Sequence, residues 1–160
     1  MNTSTLGAAH LASALAALAL GALVLLEGKG TAPHRAIGTG YVAAMLLTNL
    51  TALGIYRISG HFGPFHAMAL VSLAAVAWGM GAVVRRRPGW LLRHYHSMAW
   101  SYLGLLAAAC AEIAVRVPSV AASVNTSGRA TAFGVAIAAL FTVLGFVVIP
   151  RLQRAQVPPA

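Results

Sequence analysis

The sequence predicts an all-α fold, a polytopic transmembrane helical bundle of five helices with its N-terminus outside and its C-terminus cytoplasmic. Three observations carry this expectation. Five apolar runs approach the roughly 20 residues that a bilayer-spanning helix needs, prolines fall between the runs, and the positive residues collect on one side. Composition agrees, with 59% of the 160 residues hydrophobic and 8% charged, against roughly a quarter charged in soluble domains. So few charges could not cover the surface of a soluble domain of this length. Residues 1–160 therefore read as one membrane-embedded domain.

The first run, Leu6 to Leu26, has no basic residue before it, unlike the start of a cleavable signal peptide, and reads as a retained helix over 6–26. Ile37 to Tyr56 gives a helix over 34–57, and Phe65 to Val84 one over 65–84. Ser97 to Val115 gives a helix over 94–116, and Ala130 to Ile149 one over 130–149, with a short cytoplasmic tail at 150–160. Pro33, Pro64, Pro88, Pro118 and Pro150 mark connections or ends, where a missing backbone donor costs least. Val117 to Arg129 is polar and reads as an outer loop. Asn125-Thr126-Ser127 matches a glycosylation sequon, which an Ala-rich chain can produce by chance.

Orientation follows from the distribution of Lys and Arg. Lys29, Arg35, Arg85, Arg86, Arg87, Arg93, Arg151 and Arg154 fall on one side of the alternating spans, and only Arg57, Arg116 and Arg129 on the other. The first group should be cytoplasmic, which suits a bacterial inner membrane. Trp90 and Tyr95 then lie at the inner interface, and Tyr56, Phe62 and Phe65 at the outer one. The net charge of +9 forms no continuous basic face, so nucleic acid is not an expected partner. Arg85, Arg86 and Arg87 instead suit anionic lipid headgroups. Gly21, Gly38, Gly54, Gly79, Gly81, Gly104, Gly134 and Gly145 are expected to allow close helix contact.

Polar residues recur at spacings of three and four on two helices, which puts them on single faces. The second helix carries His34, Gly38, Tyr41, Met45, Thr48 or Asn49, Ala52 and Tyr56. The fourth carries His94, Met98, Ser101 or Tyr102, Leu105, Ala109, Glu112 and Arg116. His34 and His94 share the inner level. His10 and His66 share the outer one, with His61 in the loop nearby and Glu112 approaching that level while able to pair with Arg116. Ionisable groups in spans mark candidate functional sites, although ordinary hydrogen-bonded interfacial histidines compete with that reading.

The sharpest chemistry these residues suggest is axial ligation of a b-type haem by two histidines of facing helices. His34 with His94 is the first candidate pair and His10 with His66 the second. A metal site using His34, His66 or His94, or His94 with His96 inside, or His61, His66 and Glu112 outside, is the other option. His94 and His96 point about 200° apart on a helix and converge only if the helix begins after them. Met45 and Met98 read as core residues. Cys110, the single cysteine, reads as a buried inert thiol with no disulfide partner. Hydrolase and kinase chemistry find no Gly-x-Ser-x-Gly, no phosphate loop and no paired carboxylates.

Three pieces carry a family resemblance across His34 to Pro118: His34-Arg35-x-x-Gly38-x-x-Tyr41, then Phe62-Gly63-Pro64-Phe65-His66, then Arg93-His94 followed by Met98 and Ser101-Tyr102. This stretch resembles a family of bacterial predicted membrane proteins catalogued as a domain of unknown function. The fourth-helix pattern departs from that family at His96, Ser97 and Trp100, where a basic residue, Trp and Arg are usual. The arrangement also resembles small b-type cytochrome and ferric reductase bundles in helix count and His placement. That likeness implies a haem-binding electron relay, with His34, His66 and His94 as ligand candidates, Tyr41 and Tyr102 as supporting or quinone-facing groups, and quinone as a partner. The rival expectation is an accessory subunit packed through small-residue faces against other integral membrane subunits.

Overall fold

The computed structural model describes residues 5–55, 62–114, 116–123 and 127–156. Tyr56, Arg57, His61, Val115, Asn125 and Thr126 lie outside the described residues. Among those described there are helices and no strands: α1 (Thr5–Leu26), α2 (Ala32–Leu53), α3 (Pro64–Arg85), α4 (Trp90–Ala114), α5 (Pro118–Ser123) and α6 (Ser127–Gln156). Five of these, all but α5, are long and apolar enough to cross a membrane.

Local chemistry sets the helix ends. The Thr31 hydroxyl accepts the His34 backbone N–H at 3.2 Å and caps α2. The Lys29 ammonium donates to the carbonyls of Val24 at 2.9 Å and Leu25 at 3.1 Å, serving acceptors that the end of α1 leaves open. Partial burial lowers the pKa of Lys29, and neighbouring Glu27 opposes that shift. Between α3 and α4 the chain turns at Arg86 (φ 45°) and Gly89 (φ 74°), both left-handed.

Several boundaries differ from expectation. α2 stops at Leu53 because the Gly54 N–H turns back to the Thr51 carbonyl at 3.1 Å. α4 begins at Trp90, directly after the Gly89 turn, so His94 lies inside the helix. The connection between α4 and α6, expected to be a loop, contains the short helix α5. Pro150 does not end the last helix, which continues to Gln156. Its ring removes one backbone bond and leaves the Phe146 carbonyl without a helical donor, a defect that membrane helices accommodate.

Helices α1, α2, α3 and α4 close a four-membered ring by pairing α1 with α2, α2 with α3, α3 with α4, and α4 more narrowly with α1. α6 packs outside the ring on α4. Every ring helix contributes to the core, through Ala17, Tyr41, Met45, Val76 and Leu105. The α2 stripe is as expected in Tyr41, Met45, Thr48 and Asn49, with Thr51 buried beside Ala52. Large apolar side chains such as Val71, Val84 and Phe146 point outward, as helices solvated by acyl chains require.

Only some glycines serve close approach. A methyl group on Gly21 would collide with the Tyr102 ring, and one on Gly145 with the Trp100 ring. On Gly79 it would lie 2.9 Å from the Met98 sulfur. Among the described residues, Gly38, Gly81, Gly104 and Gly134 have no neighbour within 4 Å of that position, and the expected helix contact is not seen there.

Candidate functional site

The two ends of the ring differ in how they hold their histidines. At the arginine-rich end, His94 Nδ1 lies 3.1 Å from the Gly79 carbonyl of α3. A carbonyl only accepts, so Nδ1 carries the proton and the Nε2 lone pair is left for another atom. This is the second-sphere arrangement of metal-ligating imidazoles. His34, in the first turn of α2, has a buried Nδ1 with no hydrogen-bond partner among the described residues. Lys29, His94 and Arg35 are its charged or titratable neighbours, and the Val24 carbonyl lies against its ring. The structure thus brings His34 and His94 into electrostatic range of each other, as their shared level predicts. One turn along α2 from His34, Gly38 leaves open space.

At the opposite end, His10 Nδ1 donates to the Thr48 carbonyl at 3.0 Å and reaches Thr51 Oγ1 at 3.1 Å. Ser13 continues this seam, accepting from the Thr48 hydroxyl at 2.9 Å. His10 thereby ties α1 to α2. His66 Nδ1 accepts the Gly63 backbone N–H at 3.1 Å and caps α3. Its Nδ1 lone pair is spent on that cap and its proton sits on Nε2, so as arranged His66 offers no lone pair to an iron or a metal ion. His66 also lies 13 residues before Gly79 on α3, about 20 Å along the axis, so it cannot share a metal with His94.

Between the two ends, Tyr41 and Tyr102 hold the ring together. The Tyr41 hydroxyl lies 2.8 Å from Ser101 Oγ. Ser101 donates its single proton to the Met98 carbonyl, so Tyr41 is the donor to Ser101. The Tyr102 hydroxyl donates to the Leu18 carbonyl at 3.1 Å, and its ring meets the Tyr41 ring edge-on at 6.2 Å. Asn49 donates to Ser72 on α3 at 3.1 Å. Sequence spacing found Tyr41, Ser101 and Tyr102, but not Ser13 or Ser72, which lie on helices with no visible polar stripe.

The remaining candidates separate. Because α4 starts before His94, His96 points away from it and lines a cleft of about 130 Å³ with Trp100, Gly145, Phe146, Ile149 and Pro150, between α4 and α6. The expected metal pair of His94 and His96 therefore does not form. Glu112 is exposed and ion-paired with Arg116 at 2.6 Å, rather than facing the ring. Cys110 is exposed, not buried, because Ala107 and Ala111 take the inward face. Among the described residues no three His, Cys, Asp or Glu side chains group to hold a metal ion.

No curated protein and no solved structure matches this chain. The sequence model of one family, described as a predicted membrane protein, does match, and it extends well beyond the His34 to Pro118 stretch. With residues 7–153 matched, the chain belongs to the DUF2306 family of predicted membrane proteins, a domain of unknown function.

Proposed function

We propose that the protein is a membrane electron carrier that holds haem b at the arginine-rich end of the ring, between His34 and His94. The observation that carries this reading is the pairing of a buried, unpartnered ring nitrogen on His34 with a His94 whose Nδ1 is fixed on Gly79 and whose Nε2 lone pair is available. The donor set suits two-imidazole ligation, and the space beside Gly38 suits a flat group entering next to His34. Bound haem supplies one-electron redox chemistry. The chain's own residues fix the ligands: Gly79 sets the His94 tautomer, while the Tyr41–Ser101 and Tyr102–Leu18 bonds hold α1, α2 and α4 in place. The charge asymmetry supports placing this end at the cytoplasmic face of a bacterial inner membrane, with the N-terminus outside.

The test is the absorption spectrum of the detergent-solubilised protein, oxidised and then reduced, for wild type, His34→Ala and His94→Ala. A Soret band with sharp reduced α and β bands, lost in both variants, is expected. A colourless protein purified with stoichiometric membrane subunits would overturn the proposal in favour of an accessory subunit.

A further inference from the structure

The chain holds only two acidic side chains, and neither is placed to neutralise the arginines between α3 and α4. Glu112 is paired with Arg116 at the far end of α4, and Glu27 lies in the α1–α2 connection beside Lys29. Three other cations at the arginine-rich end, Lys29, Arg35 and Arg93, serve the protein itself. Lys29 bonds the end of α1, Arg35 donates to the Gly30 carbonyl at 2.8 Å, and Arg93 donates to the carbonyls of Pro88 at 2.7 Å and Arg87 at 3.3 Å, bracing the turn. Arg86 takes a left-handed φ of 45°, sparsely populated for a residue with a side chain, and its guanidinium lies 5.7 Å from the centre of the Trp90 ring. The side chains of Arg85 and Arg87 are exposed, and among the described residues their guanidinium groups have neither a hydrogen-bond nor an ion-pair partner.

We propose that the α3–α4 turn is a binding site for an anionic phospholipid, with Arg85, Arg86 and Arg87 around the headgroup phosphate and Trp90 at the level of the glycerol backbone. Charge complementarity calls for an anion, and guanidinium forks match phosphate oxygens. A lipid is favoured over a soluble phosphate because Val84, the residue before the triplet, is 81% exposed on a helix apolar enough to span a bilayer. The acyl surface therefore begins directly beside the guanidinium groups, where an interfacial Trp also belongs.

The experiment leaves Trp90 as the only tryptophan, with Trp78→Phe and Trp100→Phe, in nanodiscs of phosphatidylcholine. Brominated phosphatidylglycerol or brominated phosphatidylcholine is added at equal mole fraction, and quenching of Trp90 is compared. Both leaflets carry the probe, so inverted insertion does not alter the readout. Phosphatidylglycerol is expected to quench preferentially, by roughly fivefold per guanidinium engaged, with the preference falling as salt rises. R85Q/R86Q/R87Q should lose it, whereas R151Q/R154Q, at the same end, should keep it. Equal quenching by the two lipids, an equal loss in R151Q/R154Q, or displacement by millimolar inorganic phosphate would each overturn the proposal.

Discussion

The Tyr41 hydroxyl donates to Ser101 Oγ at 2.8 Å across the centre of the four-helix ring, joining the two helices that carry His34 and His94. Both groups are almost fully buried, so removing one partner leaves the other without compensation from water. Ser101 keeps its bond to the Met98 carbonyl in Tyr41→Phe, which limits the damage. Hydrogen bonds between membrane helices contribute about 0.6 to 1.7 kcal/mol. Tyr41→Phe should destabilise by that amount in a denaturant titration monitored by circular dichroism. Ser101→Ala should cost similarly, and the double variant should cost less than the sum of the two.

The glycines divide into two groups that substitution should separate. Gly21→Ala and Gly145→Ala place a methyl group into the rings of Tyr102 and Trp100, and overpacking of this kind costs typically 1–3 kcal/mol. The first should also strain the Tyr102–Leu18 bond, while the second should loosen α6 from α4. Gly104→Ala and Gly134→Ala meet nothing within 4 Å, and each should be neutral or stabilising by up to about 1 kcal/mol from helix propensity. Melting temperatures of the four variants in one detergent decide the matter. Equal losses in both groups would mean that the close approaches at Gly21 and Gly145 are absent.

Much of this architecture was legible because hydropathy and proline placement report the solvent a segment sees, and the solvent here is lipid. The α2 stripe was legible for a related reason, since Tyr41, Met45, Thr48 and Asn49 follow the helical period along a helix packed against neighbours at every depth. Glu112 shows where that logic fails. Eighteen residues from His94 amount to five full turns, so its angle is the inward one, yet α4 meets α1 only narrowly and Glu112 is exposed. Angle predicts a face; burial also needs a neighbour at that height. Cys110 fails differently, because apolar surroundings imply burial in water but outward exposure in lipid. The tautomers of His10, His66 and His94 were not legible at all, being fixed by backbone atoms of partners distant in sequence or by a cap.

Glu112 is therefore expected to be dispensable. Its ion pair with Arg116 joins two side chains that are 55% and 61% exposed, and exposed i,i+4 pairs contribute roughly 0.3–0.5 kcal/mol. Glu112→Gln should shift stability by no more than that, measured by thermal melting, and should leave any visible spectrum unchanged. A larger effect would place Glu112 in a site that its present exposure does not provide.

The contrast between His10 and His94 provides a sharper test of the electron-carrier proposal than loss of colour alone. Both rings donate from Nδ1 to a backbone carbonyl of a neighbouring helix, Thr48 for His10 and Gly79 for His94, so both should contribute to stability when removed. What distinguishes them is the companion: His94 has the unpartnered Nδ1 of His34 in range, whereas His66, the expected companion of His10, has committed its Nδ1 lone pair to Gly63. His10→Ala should lose about 0.5–1.5 kcal/mol, the net worth of a hydrogen bond whose acceptor keeps another donor, since the Thr51 hydroxyl still bonds the Thr48 carbonyl at 2.9 Å, and should keep the full haem spectrum per mole of protein. His34→Ala relieves an orphaned buried nitrogen, so it should cost little stability while abolishing the spectrum together with His94→Ala. If His10→Ala and His34→Ala instead lost stability and colour in the same proportion, colour would be reporting folding, and the assignment of the arginine-rich end as the haem site would fail.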